Sequence, residues 1–418
     1  MDRPEHSSKV RRYTAYLSPF DIMQLEFHNP YIIAFWSFVF PGLGHLMLCK
    51  CLRCYLLFCW EIFVNSKAHI NLAILYSFTG RFEMAKDILD LNWVLFYIPT
   101  YIYAIWDSYR TTVDLNHQYM LEAREDAEIK IFNIGLFEIN YLDKRIPWNS
   151  AVFSALMPGL GQALNNRLTS AVFIIVWFIV IATQSRLLPA IHYTLLGQFN
   201  TAKLILNPQW FLNIPSIYFA AINDAYTKSV HLNKLFDWEQ SKFLKKHYEN
   251  KDFKMPLNKA VRSGEGMYII STFDHSNYLE LAITAMQMKG ITKENILAVS
   301  MKKKGAKRQL FDTIHYSDGL NMLDLPIILA TIFSLAGGIY GFMLTWGPIL
   351  WGIIGMAVGL CSGLIIKLIT IKKYNWQNKQ KPAEVVLIIE CKEYQLEMTE
   401  NLLWEHNALG VRILNLNN

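Results

Sequence analysis

Two glycine turns 117 residues apart constrain this chain more than any other feature of it. Pro41-Gly42-Leu43-Gly44 returns as Pro158-Gly159-Leu160-Gly161, and the surrounding residues return with it. Laying Phe20–Asn116 on Phe137–Asn233 needs no gap and matches about one position in three, the signature of an internal repeat. The matches include Pro30/Pro147, Trp60/Trp177, Gly80/Gly197, Lys86/Lys203, Trp93/Trp210, Asp107/Asp224 and Tyr109/Tyr226. Each copy is expected to fold as the other does.

The content of the copies points to a bilayer. Each opens on a lead, Phe20–Glu26 or Phe137–Asp143, in which apolar and acidic residues recur in phase, as in a segment lying on a membrane surface. Pro30 and Pro147 then start apolar stretches broken by the Pro-Gly-Leu-Gly turns, where proline removes a donor and glycine permits positive φ. Such a break inside a bilayer needs protein or water around it, so a short or re-entrant helix is expected before each turn. A basic residue follows (Lys50, Arg167) and then an apolar helix. Leu168–Thr183 carries no charge over 16 residues, slightly short of a full span. Residues 66–91 and 183–208 are mixed and read as interfacial helices. The last apolar segments, Trp93–Trp106 and Trp210–Asn223, end at Asp107 and Asp224. The acidic pairs Asp21/Glu138 and Glu26/Asp143 persist in both leads, which favours two spans per copy and the same orientation for both.

Bulk composition agrees. Hydrophobic residues make up 53% and charged residues 18%, and 12 Trp and 21 Tyr suit headgroup belts. A net charge of +6 is too small and too spread for a nucleic-acid surface. Six cysteines, four of them between Cys49 and Cys59, do not form a secreted disulfide framework. The polar start, followed by Lys9, Arg11 and Arg12, has no h-region of a removable signal peptide.

Residues 234–264 read as a basic, cytoplasmic linker after repeats at 1–116 and 117–233. From 265 to 418 the pattern alternates. Met267–Phe273 and Asn295–Met301 are strand-like around a helix at Ser276–Lys289, and Val385–Cys391 and Val411–Leu416 flank a helix at Tyr394–Asn407. Between these halves lies Pro326–Ile366, 41 residues without a charge, which predicts a membrane hairpin over 326–366 turning at Gly347-Pro348. Gly355, Gly359 and Gly363 sit at small-xxx-small spacing for close helix approach. Without the hairpin the order is β-α-β-β-α-β. The expected fold class is thus a predominantly α-helical integral membrane protein with a C-terminal α+β ferredoxin-like domain interrupted by a transmembrane hairpin.

Two resemblances follow from these residues. Gly42-Leu43-Gly44-His45 with Ile105-Trp106-Asp107, and Pro158–Gln162, resemble two-helix bacterial membrane families marked by Gly-x-Gly-His with Trp-x-Asp and by Pro-Gly-Leu-Gly-Gln. The turn-to-aspartate spacing here is longer than in the compact Gly-x-Gly-His family, and Asn223 stands where the second tryptophan would be. The C-terminal third is similar to bacterial general-stress proteins that join ferredoxin-like halves through a glycine-rich hairpin. These resemblances imply a multi-pass protein of the bacterial cytoplasmic membrane with its last domain cytoplasmic, and no established activity.

Candidate functional residues are few. Asp107 and Asp224 close apolar helices, where an acid meets the negative end of the helix dipole and needs a partner; the matched Lys86 and Lys203 are the candidates. Gly42, Gly44, Gly159 and Gly161 shape the turns. Cys49-Lys-Cys51-Leu-Arg-Cys54 has soft-metal spacing, but the second copy lacks these cysteines, so no metal is expected. Lys302, Lys303 and Lys304 suit anionic lipid beside the hairpin rather than nucleic acid. No phosphate loop, dinucleotide fingerprint, zincin helix or nucleophile elbow occurs, so neither catalysis nor a cofactor is indicated. The expectation is a non-enzymatic membrane protein with a cytoplasmic interaction or regulatory domain and a lipid or protein partner. The alternative is a small-ion or solute pathway between the repeats.

Overall fold

The computed structural model describes residues 11–122, 125, 127, 129–249, 253, 267–301, 321–372 and 385–414. It is predominantly helical and divides into two units. A helical unit takes Met1–Tyr141, Ile146–His231 and Gln309–Trp376; an α/β unit takes Leu142–Arg145, Leu232–Arg308 and Gln377–Asn418.

In the helical unit, elements recur at the 117-residue offset. The first series is β1 (Ala15–Leu17), β2 (Ile22–Gln24), α1 (Pro30–Val39), α2 (Leu43–Met47), α3 (Cys51–Ala68), α4 (Ile70–Phe78), α5 (Phe82–Ile88) and α6 (Leu91–Glu122). The second is β3 (Phe132–Ile134), β4 (Ile139–Tyr141), α7 (Pro147–Leu156), α8 (Leu160–Leu164), α9 (Leu168–Gln184), α10 (Leu187–Leu195), α11 (Phe199–Ile205), α12 (Pro208–Phe211) and α13 (Ile214–Tyr248). Pro30 and Pro147 open their helices, where a missing N–H costs nothing. Those helices end on extended Phe40 and Met157, and Gly42 and Gly159 then start α2 and α8 at φ 101° and 106°, a conformation L side chains resist. Matched contacts also recur. The Tyr101 hydroxyl donates to the Phe38 carbonyl and Tyr218 to Ala155, while Asn116 brackets the backbone of His28 as Asn233, assigned with Arg145 to the α/β unit, brackets Arg145.

Several expectations are corrected here. The leads, read as segments lying on a membrane surface, each supply the second strand of an antiparallel two-stranded hairpin, β2 on β1 and β4 on β3. Asp21 and Glu26 point inward, 3% and 5% exposed, because buried cations await them. Asp107 and Asp224 do not end helices: α6 continues to Glu122 and α13 to Tyr248, so no helix dipole bears on them. Residues 234–248, read as linker, are the end of α13; Leu244 is fully buried in the α/β core. Two full spans per copy are not met by length and composition. Among the described residues two helices, Asp324–Gly341 and Gly347–Thr370, are long and apolar enough to cross a membrane. The number rises to four if the bent pairs Phe82–Ile88 with Leu91–Glu122 (92°) and Leu168–Gln184 with Leu187–Leu195 (61°) each count as one.

Those two helices, α15 (Asp324–Gly341) and α16 (Gly347–Lys372), form a hairpin turning at Gly347-Pro348. Backbones touch where side chains are absent: a Cβ on Gly355 would lie 2.1 Å from the Phe333 carbonyl oxygen, and one on Gly359 2.5 Å from that of Leu329. The core of the helical unit joins Trp36, Phe58, Ile181, Tyr226 and Ile327. Its surface leaves Leu95, Phe96, Ile102, Val172, Val176, Ile353 and Ile365 exposed, while many polar groups are buried.

The α/β unit carries β5 (Met267–Phe273), α14 (Asn277–Met288), β6 (Ile296–Ser300), β7 (Val385–Cys391), α17 (Leu396–Glu405) and β8 (Gly410–Leu414). The sheet runs β6-β7-β5-β8, every neighbour antiparallel. Burial alternates strictly along β7, the period-two signature of one covered face. Leu279, Ala282, Ile283 and Met286 of α14 and Leu403 of α17 form the core with Ile269, Leu387 and Ile389.

Candidate functional site

The glycine turns position two matched carboxylate sites. After each turn a five-residue helix, α2 or α8, delivers one side chain to an aspartate on the long helix behind it. His45 Nε2 lies 3.0 Å from Asp107 Oδ2, and at the matched position Gln162 Nε2 donates to Asp224 Oδ2 at 3.0 Å. Each aspartate also takes a guanidinium at 2.8 Å, but from different positions. Arg53 on α3 serves Asp107; Arg167, just before α9, serves Asp224. The second site is the more enclosed, since Arg167 is 1% exposed and also faces Asp21 at 3.6 Å, while Thr169 donates to Asp21.

The lysines expected as partners do not reach these sites. Lys86 is exposed and pairs with Glu83 at 3.1 Å, and Lys203 lies half-buried on α11. The buried Asp224 takes arginine and an amide because these donors supply directed bonds where little water reaches. Gly44 and Gly161 make room for the arrangement: a Cβ on either would meet a carbonyl of the preceding helix at 2.4 or 2.1 Å.

A second cluster lies in the helical unit and was not singled out from the sequence. Glu26, in the loop ahead of α1, faces Lys228 Nζ at 2.5 Å, His28 Nε2 at 2.8 Å and His231 Nε2 at 3.7 Å. Burial works against the Glu26 charge, but His231, Lys228 and His28 outweigh it and hold its carboxyl well below the usual range. Lys228 also contacts Cys49 Sγ at 3.3 Å. Beside Lys228 a small, partly open cavity, walled by Ile32, Ile33 and Met47 as well as by His28, Asp224 and Asp324, has room for a water molecule. One signal was legible: Asp224, Lys228 and His231 recur at i, i+4 and i+7 along α13, a single charged face of a helix that starts apolar.

In the α/β unit, buried Gln240 joins His275 Nδ1 at 3.0 Å to Glu280 Oε1 at 2.7 Å, and Ser300 lies 3.3 Å from His275 Nε2. Glu239 is pushed up to about 7 by burial and by Glu280, against Lys242. All six cysteines are free thiols, and burial pushes Cys391 up to about 11. Lys302, Lys303 and Lys304 lie outside the described residues. Comparison of the chain with protein-family models, curated proteins and solved structures returns no match.

Proposed function

We propose that this chain is a non-enzymatic integral-membrane protein. In this reading two copies of one helical repeat and the α15–α16 hairpin sit in the bilayer, and a ferredoxin-like domain acts as a cytoplasmic interaction or regulatory module. The observation that carries the reading is the path of the chain. β6 and β7 are neighbours in the sheet, yet between them in sequence lies a hairpin that belongs to the helical unit. The sheet is therefore assembled from strands that flank this insertion in sequence. The apolar surface of the helical unit, over a polar and ion-paired interior, supports the bilayer as its solvent.

Two measurements test it. Alkaline carbonate extraction should leave the protein in the membrane pellet; release into the supernatant refutes the bilayer reading. A photo-crosslinker at exposed Tyr278 or Leu281 on α14 should give a discrete protein adduct in native membranes, and its absence counts against an interaction module.

One observation favours the second reading, a small-ion pathway: the small cavity touches Asp224, Lys228 and Asp324 inside the helical unit. Reconstituted vesicles decide between them. Cation or proton flux abolished by Asp224→Asn, with folding intact, favours the pathway; no flux from the wild type removes it.

A further inference from the structure

We propose that Glu26, His28 and His231 form a binding site for one divalent transition-metal ion, with zinc the best-suited occupant. The three ligand atoms lie within 4.8 Å of one another and all three residues are buried. Two imidazole nitrogens and one carboxylate oxygen are a donor set that zinc takes readily, leaving a fourth position open. A tetrahedral zinc ion with ligands at about 2.0–2.1 Å sets those ligands roughly 3.3 Å apart. Glu26 Oε2 to His28 Nε2 at 2.8 Å and to His231 Nε2 at 3.7 Å bracket that spacing. The rings of His28 and His231 stand edge to face at 5.2 Å, both turned to the same carboxylate.

The scaffold holds the donors from two distant parts of the chain. The Asn116 side chain accepts from the His28 N–H at 3.1 Å and donates to its carbonyl at 2.8 Å, pinning the loop, while His231 rides on α13. The matched Asn233 pins Arg145 in the same way, but Asp143, Arg145 and Asp114 stand where Glu26, His28 and His231 would be. The repeat therefore does not duplicate this donor set.

Lys228 is the competing cation, its Nζ 2.5 Å from Glu26 Oε2. It also lines the cavity with Asp224 and Asp324, so a metal at Glu26 displaces the ammonium toward carboxylates that can receive it. Metal binding is thus an exchange of one cation for another at Glu26, and the shift of Lys228 carries the event to Asp224.

The test uses the full chain, purified in detergent, stripped with chelator, returned to zinc and counted by elemental analysis. About one equivalent per chain is expected, falling at least tenfold in affinity in His28→Gln and His231→Gln and unchanged in His45→Gln. Lys228→Met should bind zinc on the order of tenfold more tightly, because the competing charge is gone. Cobalt substitution reads the wild-type site without relying on variants: a visible absorption of tetrahedral strength is expected. Less than a tenth of an equivalent on the wild type, or no cobalt spectrum, overturns the proposal. So does zinc retained in His28→Gln/His231→Gln but lost when Cys49, Cys51 and Cys54 are replaced by serine, or equal or weaker affinity in Lys228→Met.

Discussion

Gly161→Ala is the sharpest test of how the glycine turns work. An ideal Cβ there lies 2.1 Å from the Ser150 carbonyl oxygen, 2.4 Å from Ser154 Oγ and 2.8 Å from Ala225 Cβ. Two of these are helix backbone or a β-carbon, which cannot swing aside, so α7 or α13 must move by about 1 Å to reach ordinary contact. Overpacking of that kind costs about 1–3 kcal/mol. The shift also stretches Ser154 Oγ to Gln162 (3.1 Å), Ser150 Oγ to Asn165 (2.9 Å) and Ser229 Oγ to Ser150 (2.8 Å). At about 1 kcal/mol for each of these three bonds weakened, the total is roughly 4–6 kcal/mol. Gly197→Ala is the matched control. Its φ is +74° but nothing lies within 4 Å of the added carbon, so only left-handed strain of about 1–2 kcal/mol applies. Thermal unfolding in detergent should put Gly161→Ala about 10 °C below wild type and Gly197→Ala about 3 °C below. If Gly161→Ala unfolds no earlier than Gly197→Ala, the close-approach argument fails. Gly44→Ala, which meets the Ile33 carbonyl and Ser37 Oγ at 2.4 Å, should behave as Gly161→Ala does.

Arg167→Ala leaves Asp21 and Asp224 buried without their guanidinium and should destabilise by about 3–5 kcal/mol, against less than about 0.5 kcal/mol for Lys86→Ala; equal losses in detergent melts refute the pairing. Glu239, with a folded pKa of about 7 against 4.5 unfolded, favours its neutral form in the fold. That contribution is complete below about pH 4.5 and lost as pH rises through 7, so the α/β unit should resist protease to higher urea at pH 5 than at pH 8. Glu239→Gln should reduce the difference, and an unchanged difference excludes Glu239 as its source. In the hairpin, Gly359→Ala drives a Cβ to 2.5 Å from the Leu329 carbonyl oxygen, whereas the nearest atom to one on Gly352 is 3.7 Å away. Disulfide trapping between cysteines placed on α15 and α16 should weaken in the first variant and persist in the second.

Sequence alone was enough for whatever is decided within a few residues. Proline at a helix start, glycine at a turn, a β-branched apolar run and a long uncharged run each act through local sterics or solvent transfer. Pro30, Gly42, Val385–Cys391 and the hairpin turn at Gly347 could therefore be read directly. Helix ends were less legible. Asp107 looked terminal because the apolar run stops there, yet α6 continues on the strength of buried Ser108, Thr111 and Thr112, whose polarity hides their burial. Charge partnership was decided only in three dimensions. Arg167 meets Asp224 across 57 residues and Lys228 meets Glu26 across 202, distances over which no periodicity connects one side chain to another. The order β6-β7-β5-β8 depends in the same way on strands separated by the hairpin. A lone charge in a sequence reads as a surface or an anchor, because sequence carries no record of the solvent around it. Packing removes that solvent, and only then does the physical cost of burial dictate which cation must be beside which acid.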